Sequence, residues 1–318
     1  MAVDAIATEP HYRAHIEPVM AALPAAIRGN IYTGADVPAG DHPVIVAAHG
    51  DYRLARRSGR PIVMMEHGAG QTYRRPDGAL LGHSSYAGYR RPGVVLTLVP
   101  GPAAAAAYAE GGAPEPVVQV GVPKLDRRHE NPVVPPLDGG RRVVAISFHW
   151  DCYVCPETES AWREYLLPLS ADLLAPLRRK YKVLGHGHPR IFGQLAPKWE
   201  ALGIEPVADF EEVMDRAHMY IVDNSSTLFE FASLGRPVVV LNKSSYRRHL
   251  EHGLRFWQAA GIGPQVSRVS DLASVVDRAW DWPAVERERA VAMAYSATDG
   301  LASERAARAI LEVIYGRS

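Results

Sequence analysis

The feature that most constrains this chain is a recurrence of short, uninterrupted apolar runs separated by helix-length stretches. Val44-Ile45-Val46-Ala47-Ala48, Pro61-Ile62-Val63-Met64-Met65, residues 94–99 and residues 117–120 are the first set; residues 142–148, 182–185, 219–222 and 237–241 are the second. A strand with one wet face alternates apolar with polar. A strand apolar at every position is covered on both faces, as in a parallel sheet flanked by helices. Helical patterns fall at residues 51–58, 103–109, 159–181, 210–217, 227–234, 271–280 and 302–315. The expectation is an α/β protein. Its 318 residues are more than one core usually spans. The strand pattern is interrupted at residues 126–142 by prolines, glycines and charges, the composition of a linker. The chain is therefore expected to hold a domain at 1–130, a linker at 131–142, and a second domain at 143–318 that includes the terminal helices. Both domains are expected to be doubly wound and to face each other across a cleft.

Composition narrows the function. Lys+Arg and Asp+Glu are 35 each, so a whole surface committed to nucleic acid or membrane is excluded, although a local patch is not. Residues 1–10 carry acids and no apolar core, unlike a signal peptide. The longest apolar stretch, residues 94–109, is broken by Pro100-Gly101-Pro102 and is too short to span a bilayer. A cytoplasmic protein is expected. Cys152 and Cys155 have C-x-x-C spacing, but four zinc ligands are not at hand. A structural role is expected for them.

In doubly wound sheets, ligands sit outside the carboxyl ends of the strands, so chemistry is expected in the loops leaving those ends. One reads Asp223-Asn224-Ser225-Ser226-Thr227-Leu228-Phe229-Glu230. A strand ends, small hydroxyl residues turn the chain, and a helix begins; free N–H groups and the helix dipole make a phosphate site. Ser225, Ser226 and Thr227 add donors, and Glu230 suits ribose hydroxyls. Thr227-x-x-Glu230 also spells a capping box, a role compatible with the first. A second loop reads Gly185-His186-Gly187-His188-Pro189-Arg190. Gly187 lets a ligand approach the backbone, and Arg190 suits a forked contact to phosphate; a plain turn or a metal site are the alternatives. His186 and His188 lie two apart, on opposite faces of extended chain, which disfavours a shared metal.

The third loop, Glu66-His67-Gly68-Ala69-Gly70-Gln71-Thr72, belongs to the first domain. His67 is either a turn residue or the general base for an acceptor hydroxyl, since its pKa lies near working pH. Glu66, Gly68, Gln71, Arg74 and Arg75 accompany it on the acceptor side. No Asp-x-Asp pair occurs, so no metal is expected at the diphosphate; basic groups and N–H groups must neutralise it instead.

Taken in order, these loops resemble the CDP-glycerol glycerophosphotransferase family and, more broadly, GT-B glycosyltransferases. The resemblance rests on His67-Gly68, on Gly121-Val122-Pro123-Lys124-Leu125-Asp126, on His188-Pro189, and on Asp223-Asn224-Ser225-Ser226 followed by Phe229-Glu230 and Arg236-Pro237-Val238. It covers about residues 44–245. It implies a GT-B fold of two Rossmann-like domains, with His67 near the acceptor, His188 at the donor diphosphate, and Ser225, Ser226 and Glu230 on the nucleotide. Asn224 stands where the family usually has tyrosine. His149-Trp150-Asp151-Cys152 departs from the usual segment, which leaves a sugar as well as glycerol phosphate open as the transferred group.

The expected activity is transfer of a glycosyl or glycerophosphoryl group from a nucleotide-diphosphate donor to an acceptor hydroxyl. His67 and His188 are the expected catalytic residues, and no cofactor beyond the donor is called for. Residues 50–93 hold Arg53, Arg56, Arg57, Arg60, Arg74, Arg75, Arg90 and Arg91 against Asp51, Glu66 and Asp77. Such a patch fits an anionic acceptor: a polyol phosphate, a phospholipid-linked glycan or DNA. Two rivals share the fold. A non-hydrolysing nucleotide-sugar epimerase needs acids at the anomeric centre, for which Glu66 and Asp151 stand out. A silent nucleotide-binding module needs neither.

Overall fold

The computed structural model of the protein describes residues 2–82, 90–152 and 155–316. It divides into two compact units, Met1–Asn131 with Ala292–Ser318, and Pro132–Val291. Each is built on one parallel sheet of six strands with helices on its faces.

Unit 1 contains β1 (Val3–Ile6), β2 (Arg28–Tyr32), β3 (Val44–Val46), β4 (Ile62–Met65), β5 (Val94–Val99) and β6 (Val117–Gln119), ordered β2-β1-β3-β4-β5-β6. Its helices are α1 (Pro10–Ala22), α2 (His49–Arg57), α3 (Pro102–Glu110), α4 (Asp126–Glu130) and α12 (Ala302–Tyr315). Side chains alternate between faces along a strand, and here both faces are dry. Val3, Ile45, Val63 and Leu96 meet Ile16 and Val19 of α1 and Ile310 of α12. Ile6, Val44, Val46, Ile62 and Met64 meet Tyr52 and Ala55 of α2. That two-sided cover is why the strands read as unbroken apolar runs.

Unit 2 contains β7 (Val143–Ser147), β8 (Lys182–Gly185), β9 (Glu205–Pro206), β10 (Met219–Val222), β11 (Val238–Leu241) and β12 (Gln265–Val266), ordered β12-β11-β10-β7-β8-β9. Its helices are α5 (Trp162–Tyr165), α6 (Ala171–Lys180), α7 (Pro189–Ala201), α8 (Phe210–Arg216), α9 (Thr227–Ala232) and α10 (Leu272–Ala279); α11 (Ala284–Ala294) crosses the boundary between the units along the chain. The strand order reverses between β7 and β10 here, and between β1 and β3 in unit 1. Those two reversals are the ligand positions of doubly wound sheets.

Three expectations change. The helix read over residues 159–181 is two helices, α5 and α6. Pro168 cannot continue the first, and the Ser170 side chain accepts the Leu173 N–H to start the second. The stretch β1–α1–β2 carried no clear pattern, because α1 holds Pro18 in its interior and β2 is a half-exposed edge strand. Most consequentially, the last helix packs with unit 1, not with the residues from 143 onward.

The cause is a clasp made by the Gly121–Asp126 segment. Gly121, at φ 88°, lies 3.1 Å by its missing Cβ from the Ala302 Cβ. Arg305 Nε donates to the Val120 carbonyl at 2.9 Å. The Asp126 carboxylate accepts the N–H groups of Ala302 (2.9 Å) and Ser303 (2.7 Å), filling two orphan donors of α12. Replacing Asp126 by Ala should therefore cost roughly 1–3 kcal/mol of stability. Urea unfolding of the two proteins measures it; an unchanged midpoint would show that the clasp does not hold α12.

Candidate functional site

Asp223 organises the switch point of unit 2. It is 0% exposed. One carboxylate oxygen accepts the His149 N–H at 2.8 Å; the other accepts the Ser160 hydroxyl at 3.1 Å and the Ala161 N–H at 3.0 Å. This corrects the expectation that Asp223 contacts the donor: both oxygens are consumed in tying the segment after β7 to the segment after β10.

The hydroxyls that follow form a relay. Thr227 donates to the Ser225 hydroxyl at 2.8 Å, and Tyr220 lies 3.0 Å from Thr227. With Thr227 donating to Ser225, Tyr220 supplies the bond to Thr227, and the Ser225 proton is directed onward. The capping box is not realised. Ser226, before α9, has helical backbone angles (φ −64°, ψ −20°) and makes no cap bond. Because α9 is only 6 residues long, its dipole is small, and side chains must carry the electrostatics. Glu230 is 1% exposed, an interior position rather than the open carboxylate that a ribose contact calls for.

The segment after β11 supplies what the sequence reading missed. Arg248 Nη2 donates to the Asp223 carbonyl at 2.9 Å, and its guanidinium lies 5.3 Å from the ring centroids of both Tyr246 and Trp257. Trp257 packs 5.3 Å from Phe229 of α9. Burial pulls Arg248 down to about 10, so it stays charged at neutral pH. Among the described residues around the Asp223 turn, three buried donor atoms have no acceptor: Asn224 Nδ2, Arg248 Nε and Trp257 Nε1. The segment is pinned from outside by Lys243 to Glu159 and Glu164, both at 3.0 Å, and by Arg247 to Glu157 at 2.8 Å. The signal for Arg248 was its position just past the apolar run at 238–241.

His188 is the N-cap of α7. Its Nδ1 accepts the Arg190 N–H at 3.2 Å, with Pro189 in the first turn. The neutral ring therefore carries its proton on Nε2 and acts there as a donor. His188 meets the His149 ring edge-on at 5.4 Å. The Arg190 guanidinium stacks over Trp150 at 4.4 Å. Gly187 has a different reason from the one expected: a Cβ there would meet Leu195 Cδ1 at 2.3 Å, so the glycine serves packing. His186 is buried against Phe210 and Tyr220. Its Nδ1 lies 2.7 Å from the Ser147 hydroxyl, and burial lowers it to about 4, so it is a neutral core residue.

In unit 1, His67 has the opposite tautomer. Its Nδ1 lies 2.5 Å from the Ala47 carbonyl, which can only accept, so Nδ1 holds the proton. Nε2 is then an acceptor, facing Gln71 Nε2 at 3.3 Å. The rings of Tyr12 (4.9 Å) and His15 (6.1 Å) frame it, and Gly68 is buried beside it. Glu66 does not join this group. It is buried near Tyr108 and Arg91, and burial pushes its carboxyl up to about 8.

The arginine patch is also thinner than its composition. Arg60 pairs with Asp4 at 2.6 Å, and Arg74 with Glu110 at 2.7 Å. Arg91 is buried and donates to the Tyr108 hydroxyl at 3.1 Å. Arg75 is exposed; residues 83–89 of the stretch lie outside the described residues. Asp151 accepts the Ser160 N–H at 2.7 Å and pairs with Arg163 at 2.9 Å. Cys152 and Cys155 are buried, and burial raises Cys155 to about 11. Among the described residues, no group of three or more His, Cys, Asp or Glu is placed to hold a metal, and no helix is long and apolar enough to cross a membrane.

Two parallel doubly wound sheets, one with an anion-suited switch point, define a GT-B architecture. Residues 167–312 match the family described as CDP-Glycerol:Poly(glycerophosphate) glycerophosphotransferase, a little under half of the chain. No curated protein matches in sequence. The wall teichoic acid polymerase TagF aligns over 99% of this chain and 89% of its own, with TM-score 0.65 and 14% identity. The S. aureus MnaA–UDP structure aligns over 99% and 97%, with TM-score 0.65 and 14% identity. UDP-GlcNAc 2-epimerase from Neisseria meningitidis, bound to UDP-GlcNAc, covers 100% of both chains, with TM-score 0.58 and 13% identity. At these identities the likeness is one of fold. The chain is a GT-B transferase resembling the CDP-glycerol glycerophosphotransferase family.

The buried carboxyl in unit 1 has a measurable consequence. Glu66, ordinarily near 4.5, binds its proton more tightly when folded, up to about 8. Its contribution to stability should therefore fall as pH rises from about 4.5 to about 8 and be level beyond. Glu66→Gln should unfold at higher urea than the parent at pH 9, by up to a few kcal/mol, with the two converging near pH 4. Parallel pH curves would show that Glu66 is ionised in the folded protein.

Proposed function

We propose that unit 2 binds the diphosphate of a nucleotide-activated donor and that His67 of unit 1 activates the acceptor hydroxyl. The observation that carries this reading is the set of buried donors without acceptors at the switch point: Asn224 Nδ2, Arg248 Nε and Trp257 Nε1. A buried polar group left unpaired costs roughly 1–3 kcal/mol. These donors, with one buried cation among them, suit an acceptor-rich anion. The Ser225 proton, the Nε2–H of His188 and the Arg190 guanidinium extend the same polarity along adjoining loops. In the proposed step, His67 Nε2 takes the acceptor hydroxyl proton as the acceptor oxygen bonds to the transferred group. The bond from that group to the nucleotide breaks, and its electrons pass to the leaving phosphate oxygen, neutralised by these donors.

The transferred group is glycosyl or glycerophosphoryl, and the donor is taken as substrate with no further cofactor. The burial of Glu66 near Tyr108 and Arg91 and the bonds of Asp151 to Ser160 and Arg163 support the transferase reading over the epimerase one.

Two results test the assignment. Arg248→Met should weaken CDP or UDP binding by roughly 10- to 100-fold, the scale of a lost charged hydrogen bond. It should leave the ligand-free protein as stable or more so, because a poorly compensated buried charge is removed. Unchanged affinity by calorimetry in the folded variant would refute the diphosphate site. His67→Ala should lower kcat by roughly 10²-fold or more while nucleotide affinity is kept. A variant that transfers at the parent rate from pH 6 to 9 would make His67 a turn residue.

A further inference from the structure

The switch point of unit 1 holds a carboxylate that nothing above uses. Asp51 lies in the first turn of α2, directly after β3, and is 0% exposed. Thr8, just past β1, donates to one of its oxygens from its hydroxyl at 2.6 Å and its N–H at 3.3 Å. The two strands that flank the reversal of strand order are thus joined through this single side chain. The other oxygen, Oδ2, is buried and has no hydrogen-bond partner. Burial raises the pKa of Asp51, and the charge of Glu9 adds to that.

A cap that only closed α2 would leave neither a free oxygen nor this cost. Gly50, the neighbour of Asp51 in the first turn, is exposed. His67 hangs from the same strand end, because its Nδ1–H is spent on Ala47, which immediately precedes the N-cap of α2.

We propose that Asp51 and Thr8 form a hydroxyl-recognition site at the unit 1 switch point, built for a neutral polyol or sugar moiety. The chemistry selects that class. A carboxylate oxygen fixed in place accepts hydrogen bonds from hydroxyls, and repels a phosphate brought to the same spot. The site deepens the reading of unit 1 as the acceptor side: it assigns to Asp51 the uncharged hydroxyl-bearing part of the acceptor, whatever charge the remainder carries.

The full chain, labelled for NMR, tests this with glycerol and N-acetylglucosamine as neutral probes and inorganic phosphate as the anionic one. The amides of Thr8 and Asp51 are the reporters. A neutral probe should shift them saturably. Asp51→Asn keeps the shape but places an N–H₂ at one end of the group; it should weaken that binding at least 10-fold with an unchanged melting curve. Nucleotide affinity, read by calorimetry on the same samples, should be unaffected. Parent-like polyol binding in folded Asp51→Asn, or reporters that respond to phosphate and to neither polyol, would overturn the proposal. If the parent protein binds polyol through Asp51 but no nucleotide, the transferase reading falls and this site stands.

Discussion

The second unit depends on one buried carboxylate. Asp223 accepts from two backbone N–H groups and a hydroxyl, all contributed by the segment between β7 and α5. Doubly wound sheets place a ligand where neighbouring strands send their connections to opposite sides. That geometry also pulls the two loops apart, so something must hold them in register. A carboxylate with every oxygen occupied does so with charge-assisted bonds inside a dry environment, where they are strongest. Its carbonyl in turn orients Arg248. The loop after β10, the loop after β7 and the segment after β11 are thereby referred to a single residue.

Polarity is sorted between the two histidines by the backbone rather than by pH. Ala47 offers His67 a carbonyl, which fixes the proton on Nδ1 and leaves Nε2 basic. Arg190 offers His188 an N–H, which fixes the lone pair on Nδ1 and leaves Nε2 as a donor. The same side chain thus offers an acceptor Nε2 in one unit and a donor Nε2 in the other, the two roles the proposed function assigns. In each case the second ring nitrogen determines what the first can do.

The alternation of dry strands was legible because both faces of each sheet are covered, and the loops proposed for the chemistry stood out because they leave strand ends. What the sequence concealed has physical reasons. The placement of α12 depends on long-range bonds from Asp126, and no local pattern encodes a partner about 176 residues away. Asp223 and Glu230 have the residue types of ligand contacts, but burial decides whether a carboxylate faces a substrate or a neighbouring loop. Gly187 looked like room for a ligand and is room for Leu195. Arg74 and Arg91 counted as positive charge, yet one is neutralised by Glu110 and the other is buried with Tyr108. Arg248 carried no motif at all.

On the proposed reading, that last residue also supplies a preference for an anion. A guanidinium withdrawn from water loses hydration worth several kcal/mol even after relaxation. Tyr246 and Trp257 return part of that through their ring faces, and the Asp223 carbonyl returns part through one hydrogen bond. The remainder is stored in the ligand-free protein. An entering anion that meets Nε, together with the neighbouring indole and amide donors, recovers the stored cost on top of its own contacts. A neutral ligand of the same shape recovers far less. On the proposed reading, preference for a diphosphate would follow from the donors Asn224 Nδ2, Arg248 Nε and Trp257 Nε1, in a segment tied down by the ion pairs of Lys243 and Arg247.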